Sequence, residues 1–373
     1  MTQSFMTRHL HPHSQRLLSG RGFQIGHFLA HTMAGTSNVK SWIYTTAGYP
    51  ATLTLSETTV PTTPSPHHLL VQVRASALNP VDIQLMNLSL NSSPGLNKPK
   101  IPGRDFAGVV LAAAPETQFQ KGDEVMGISM SMDGTGFLTE VAHLDIRGAC
   151  VVKKPSHLTW VQAASLPLVW LTARTAVEKC VAFMKDPIPA NNKLVVLGGS
   201  SSTGIYMVKL AHDRGWTVLS TCSPRNIDFV RSLGANQVVD YTTSPDAVPK
   251  AVAAFKPHAI LDCVGGTDCI GLAPQYVTIV GDKTNRATMG GSALYLTHPR
   301  MALRWLLGYL GLSNSYECII LQMKKEWLEE ATNLQGERDI FIDSTFPFDR
   351  TKEAFERLDT GRTRGKVVVE VDG

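Results

Sequence analysis

Residues 195–204 read VVLGGSSSTG, an apolar strand running into a glycine- and serine-rich turn. TGIYMVKLAHDRG follows at 203–215 with the spacing of an amphipathic helix. Strand, glycine turn and helix in direct succession form the phosphate-binding start of a dinucleotide fold. Aligned to G-x-G-x-x-G, the turn is Gly199, Ser200, Ser201, Ser202, Thr203, Gly204, with Ser201 in place of the middle glycine. The first glycine makes the tight turn, the second admits the pyrophosphate and the third lets helix pack on strand. Ser201 therefore crowds the pyrophosphate slightly but offers a hydroxyl at a helix N-terminus suited to anions. The competing reading is a turn that only caps a helix.

The next strand selects the cofactor. NAD sites carry Asp or Glu roughly 20 residues beyond the glycines, to accept from the ribose 2′-hydroxyl. TCSPRN stands there, at 221–226, without an acid. A carboxylate would repel a 2′-phosphate, whereas Ser223, Arg225 and Asn226 supply donors and a positive charge. The expected cofactor is NADPH. The alternative for Arg225 is a solvated loop arginine.

The rest of the chain bounds the setting. A length of 373 residues suits two domains, and 43% hydrophobic with 18% charged residues is the composition of a globular chain with a sizeable core. A net charge of +4 without runs of like charge gives no support to nucleic-acid or membrane-surface binding. The six cysteines form no C-x-x-C pair, which fits reduced thiols in a cytoplasmic or mitochondrial matrix compartment. No apolar run reaches the roughly 18 residues of a membrane span. MALRWLLGYLGL at 301–312 is short and interrupted by Arg304, and reads as a buried or lid-like helix.

Residues 1–38 contain Arg8, Arg16, Arg21 and five histidines, with no acid before Glu57. Such a start resembles a mitochondrial presequence; a disordered tail, or initiation at Met33, are the alternatives. From Val39 to about Val152 short strand-like segments such as HLLVQVRASAL alternate with turn residues. From about Ala163 helices and strands alternate, as in a doubly wound parallel sheet. The tail returns to a helix, KEAFERLDTG, and a strand, KVVVEV.

LNPVD at 78–82, IPGRDFAG at 101–108, KGDEVMG at 121–127, ASLPLVWLTARTA at 164–176, GGSSSTG at 198–204, SLGANQVVDY at 232–241 and GRTRGKVVVEV at 361–371 together resemble the medium-chain dehydrogenase/reductase superfamily. Within it the likeness is to the zinc-free quinone oxidoreductase and reticulon-interacting oxidoreductase branch, with fungal trans-acting enoyl reductases as neighbours. The resemblance implies an α/β architecture: a GroES-like β domain over 39–164 and 326–373, and a Rossmann domain over 165–325, with nicotinamide in the cleft between them. It also implies cofactor contacts from Thr172, Tyr241, Cys263, Gly365 and Lys366, and pairing into a homodimer. Zinc-bearing relatives have Cys near the position of Asn79 and a His-Glu pair at Arg104 and Asp105, so no metal is expected. Asn79 is the candidate for polarising substrate or orienting nicotinamide, against an Asx turn before Pro80. Asp105 is alternatively a structural carboxylate capping a turn.

Hydride delivery to an electrophilic carbon needs no Lewis acid, which points to a quinone or an α,β-unsaturated carbonyl. The sequence leaves open a trans-acting enoyl reductase of a polyketide-type pathway and an NADPH-binding interaction protein of crystallin type.

Overall fold

A computed structural model of the chain describes residues 35–184, 191–282 and 298–371. The expected extension over 1–38 lies, up to residue 34, outside the described residues, and the first strand already begins at Thr36.

The first half holds β1 (Thr36–Ile43), β2 (Thr54–Pro61), β3 (His68–Leu78), the short helix α1 (Pro80–Met86), β4 (Asp105–Ala113), β5 (Glu124–Ser129), β6 (Val141–Asp145) and β7 (Ala149–Lys153). The expected long helix from Ala163 divides at Pro167 into α2 (Trp160–Ser165) and α3 (Pro167–Phe183), because proline has no N–H for a continuing helix and fits only the first turn of a new one.

The second half runs β8 (Lys193–Leu197), α4 (Ser202–Asp213), β9 (Thr217–Cys222), α5 (Ile227–Ser232), β10 (Gln237–Asp240), α6 (Ala247–Phe255), β11 (Ala259–Asp262), β12 (Gln275–Thr278), α7 (Pro299–Tyr309) and β13 (Ser315–Cys318). Its strands form one parallel sheet in the order β10-β9-β8-β11-β12-β13. That is the dinucleotide-fold order, with its switch point between β8 and β11, where a crevice opens at the carboxyl ends. Helices cover both faces, which explains the unbroken apolar run of β8. Leu194 and Val196 lie in the core with α3 and α4, while Val195 and Leu197 face Val252 of α6 and Met301 of α7.

The chain then returns. β14 (Ile342–Pro347) and β15 (Lys366–Glu370) join the first sheet, whose order is β14-β15-β3-β4-β5-β7, with β6 also on β3. Its register positions the site. β15 runs antiparallel to β3 with Val367 opposite Leu78, and β4 meets the other edge of β3 with Asp105 opposite Ala77. Lys366, Asn79 and Asp105 thus begin or follow three adjacent strands at one end of the sheet.

Of the two expectations for α7, buried or lid-like, the structure departs from the first. Only Met301 is buried, and Leu303 (55%), Tyr309 (77%) and neighbouring Trp305 and Leu306 are exposed, because the helix flanks the edge strand β13 and presents one residue to the core.

Candidate active site

The glycine turn divides its tasks differently from the alignment. Gly198 carries the positive φ, +84°, and makes the sharp turn out of β8. Gly199 serves close approach, since a Cβ there would sit 2.0 Å from Ser220 Oγ on β9. Gly204 performs the third glycine's task, for a Cβ there would meet Gly198 O at 2.2 Å. Gly198 escaped the sequence reading although the doubled glycine signalled it. Ser201 is the N-cap of α4: its Oγ accepts from Gly204 N at 3.1 Å. The hydroxyl thus faces the helix, as the capping alternative requires, and it also lies within hydrogen-bonding reach of the Cys263 sulfur. Thr203 is buried in the first turn. Ser202 Oγ donates to Gly365 O at 2.7 Å and so ties the turn to the returning tail.

At the end of β9, Asn226 is buried and its Nδ2 reaches Ser200 Oγ at 3.1 Å and Ser223 Oγ at 3.3 Å. Three residues chosen from sequence thereby form one polar cluster between the turn and β9. Arg225 is exposed, with Nη2 donating to the carbonyl of Arg362 at 2.9 Å. Tyr241 follows β10 and is 55% exposed. Cys263 follows β11, with Sγ 3.4 Å from Met207 Sδ, and burial together with the Asp262 carboxylate pushes its thiol well up. Thr172 lies in α3, where its hydroxyl donates to Leu168 O at 2.7 Å.

The second half of the site is a buried polar row. Lys366 Nζ donates to Asp105 Oδ2 at 3.1 Å, to Leu78 O at 3.0 Å and to Asn79 Oδ1, which uses all three of its protons. Asn79 Nδ2 donates to Asp105 Oδ2 at 3.0 Å and to Ala77 O at 3.2 Å. Asp105 Oδ1 accepts from Leu168 N at 2.9 Å, at the start of α3. Burial pushes the Asp105 carboxyl up against the opposing pull of Lys366.

Two candidate residues from the sequence meet in this row. Lys366, expected at the cofactor, turns its ammonium into the protein, since that is where three acceptors converge. Asn79, the candidate for polarising substrate or orienting nicotinamide, is 2% exposed and has its carboxamide engaged from both ends. The structural alternative for Asp105 is what the geometry displays, tying β4 to α3 rather than capping a simple turn. Beside this row Asp82 accepts from Asn79 N at 2.8 Å and Gly103 N at 3.2 Å, and burial pushes its carboxyl up to about 6. Arg104 Nη1 holds Ser131 O at 2.6 Å and Thr135 O at 3.3 Å, anchoring the loop after β5, while its buried Nε lacks a hydrogen-bond partner among the described residues. Among the described residues no three His, Cys, Asp or Glu side chains converge as metal ligands.

A zinc-type alcohol dehydrogenase-like protein of Schizosaccharomyces pombe is 31% identical over 350 residues, covering 89% of this chain and 96% of its own. The chain belongs to the medium-chain dehydrogenase/reductase superfamily. The superfamily's two parts are matched separately: the alcohol dehydrogenase GroES-like domain over residues 65–156, and the zinc-binding dehydrogenase model over 233–369. The mitochondrial NAD(P)H oxidoreductase RTN4IP1 of Mus musculus is 29% identical over 369 residues, covering 92% of each chain. Among solved structures of the superfamily, the quinone oxidoreductase from Coxiella burnetii superposes with a TM-score of 0.73 at 25% identity, covering 90% of this chain and all of that one. The oxidoreductase reading and a nicotinamide cofactor follow from these relatives and from the GroES-like and Rossmann architecture described above.

Proposed function

We propose that the protein is an NADPH-dependent, zinc-independent reductase that delivers hydride to a quinone or an α,β-unsaturated carbonyl. The observation that carries this reading is the end of β9, where Ser223, Arg225 and Asn226 stand in the place of an acid and Asn226 joins Ser200 of the glycine turn. The cradle fits the cofactor. Gly199 and Gly204 leave no room for a Cβ, and α4 presents its N-terminus there. Gly199, Ser200, Ser201, Ser202, Thr203 and Gly204 hold the pyrophosphate in this reading, Ser223, Arg225 and Asn226 hold the 2′-phosphate, and the bound cofactor supplies the hydride. Tyr241, Cys263 and Gly365 flank it.

Zinc does not fit the donor set. Asn79 and Asp105, at the positions that relatives with zinc give to ligands, already surround the Lys366 ammonium. Lys366 and Asn79 act here as positioning residues, fixing the start of α1 and of α3 beside the cleft, and the proton that follows hydride comes from solvent. The relative named a quinone oxidoreductase supports the substrate class, and the one named an NAD(P)H oxidoreductase supports the nicotinamide cofactor.

The exposed apolar face of α7 favours one second reading, an enoyl reductase acting in trans on acyl chains. NADPH oxidation measured against quinones, enones, enals and acyl thioesters tests both. Turnover of quinones or enones is expected, turnover confined to acyl thioesters selects the second reading, and tight NADPH binding without turnover would leave an interaction protein. The mitochondrial relative and the acid-free N-terminal segment support a matrix location, and homodimer formation is part of the same reading.

A further inference from the structure

Arg104, one residue before β4, is 3% exposed and carries a charge that the protein does not neutralise. Among the described residues it donates only to two carbonyls, Ser131 O at 2.6 Å and Thr135 O at 3.3 Å, both from Nη1. Asp82, the carboxylate that feels its field most, is committed to the N–H groups of Asn79 and Gly103 and forms no ion pair with it. Nε is buried without a partner, and Nη2 has none among the described residues either but is not sealed from solvent. A buried guanidinium with free donors and no counterion is costly, and the cost is offset when an acceptor that gains negative charge comes to it.

Tyr44, which follows β1, shows the same combination. It is 3% exposed, and its hydroxyl has no hydrogen bond among the described residues yet keeps contact with solvent. The charges acting on it are those of Arg104 and Asp82, and burial pushes its pKa up, so the phenol stays a donor. Side chains almost wholly buried whose unpaired ends still touch solvent form the floor of a recess. The loop that Arg104 holds borders it. Met132 on that loop is exposed, and Ile101 N donates to Gly134 O at 2.9 Å, which joins the loop to the segment bearing exposed Leu96. Apolar side chains around a cationic floor suit a flat apolar molecule with a carbonyl oxygen at one end.

We propose that Arg104 is a catalytic residue of the reductase, its guanidinium receiving the carbonyl oxygen of the quinone or enone with the Tyr44 hydroxyl as a second donor. The proposal rests on the reductase reading above. Hydride arrives with its electron pair at the electrophilic carbon, the conjugated π electrons shift, and the carbonyl oxygen takes the negative charge. A proton from solvent then gives the reduced product, and the bound cofactor is left oxidised. Fixed donors aimed at that oxygen favour the charged transition state over the neutral substrate, a task that a metal ion performs in other sites.

Two measurements on the wild type, Arg104→Met, Arg104→Lys and Tyr44→Phe test this. The first is steady-state kinetics with NADPH and 1,4-naphthoquinone; the second is absorption titration with 4-nitrophenol, whose bound phenolate reports a site built for an oxyanion. Arg104→Met is expected to lower kcat about 100- to 1,000-fold with the Kd for NADPH unchanged, and Arg104→Lys to recover part of the loss. Tyr44→Phe should lower kcat about tenfold at an unaltered melting temperature, since its hydroxyl has no partner to lose among the described residues. The wild type should bind 4-nitrophenol as phenolate below the pH at which it ionises in water, and Arg104→Met should abolish that shift. A loop anchor without a catalytic part predicts a lower melting temperature in Arg104→Met, an unchanged kcat in Tyr44→Phe and, in the wild type, a probe that ionises as in water. The last two results overturn the proposal even if Arg104→Met does not fold, and leave the reductase reading standing where naphthoquinone is turned over. A wild type that binds NADPH but reduces neither quinones nor enones removes that reading and the proposal together.

Discussion

The Lys366 ammonium and the Asp105 carboxylate lie 3.1 Å apart with both side chains buried, 261 residues apart in sequence. Removing one partner leaves the other charged in an apolar interior, which costs about 3–5 kcal/mol. Lys366→Met and Asp105→Asn should each destabilise strongly, and the double variant by much less than the sum. Chemical denaturation of the four proteins in a double-mutant cycle measures this, and strict additivity would refute the coupling.

Asp82 gives the protein a pH signature of unusual sign. Its carboxyl is raised from an ordinary 3.8 to about 6 in the fold. The native state therefore holds this proton over a range where the unfolded chain has released it. Stability is greatest on this account below pH 4 and is lost as pH rises through 6, by about 3 kcal/mol in the limit. Asp82→Asn should flatten that part of the stability profile. Unfolding free energies between pH 4 and 7.5 for both proteins provide the check.

Ser201 links helix stability to cofactor binding, because one hydroxyl caps α4 and lies at the front of the glycine turn. Ser201→Val should lose about 1 kcal/mol of stability without ligand and also bind NADPH poorly. Ser201→Gly should lose a few tenths of a kcal/mol and bind about as well as the wild type. Melting curves beside calorimetric titrations separate the two effects; normal binding by Ser201→Val would remove the pyrophosphate from this turn.

Dialysis against a strong chelator should leave the reductase rate unchanged, since Lys366 already occupies the acceptors of Asn79 and Asp105. Stoichiometric zinc in active protein, found by elemental analysis, would contradict this.

The parts of the fold legible in sequence are those whose burial is local. β8 shows as an apolar run because helices cover both of its faces, and HLLVQVRASAL coincides with β3. β2, TLSETTVP, passes unnoticed because it is polar and largely exposed and is held by its register with β1. β13, SYEC, is too short to show a period and exists through its pairing with β12. The site divides in the same way. The turn and the Ser223–Asn226 cluster lie within one βαβ unit and follow a known spacing. The inward turn of Lys366 and the position of Arg362 depend on a register between the C-terminal strand and β3, which no local pattern encodes.

The return of β15 to the first sheet governs how the molecule is made. A growing chain that has emerged only to β14 carries β3 with its Ala75–Leu78 edge unpaired and Asp105 without its ammonium. The first half thus waits, with a bare sheet edge prone to foreign pairing, until β15 leaves the ribosome. The cleft is completed only once β15 has been made, so a chain lacking that strand would have a Rossmann half and no finished partner for it.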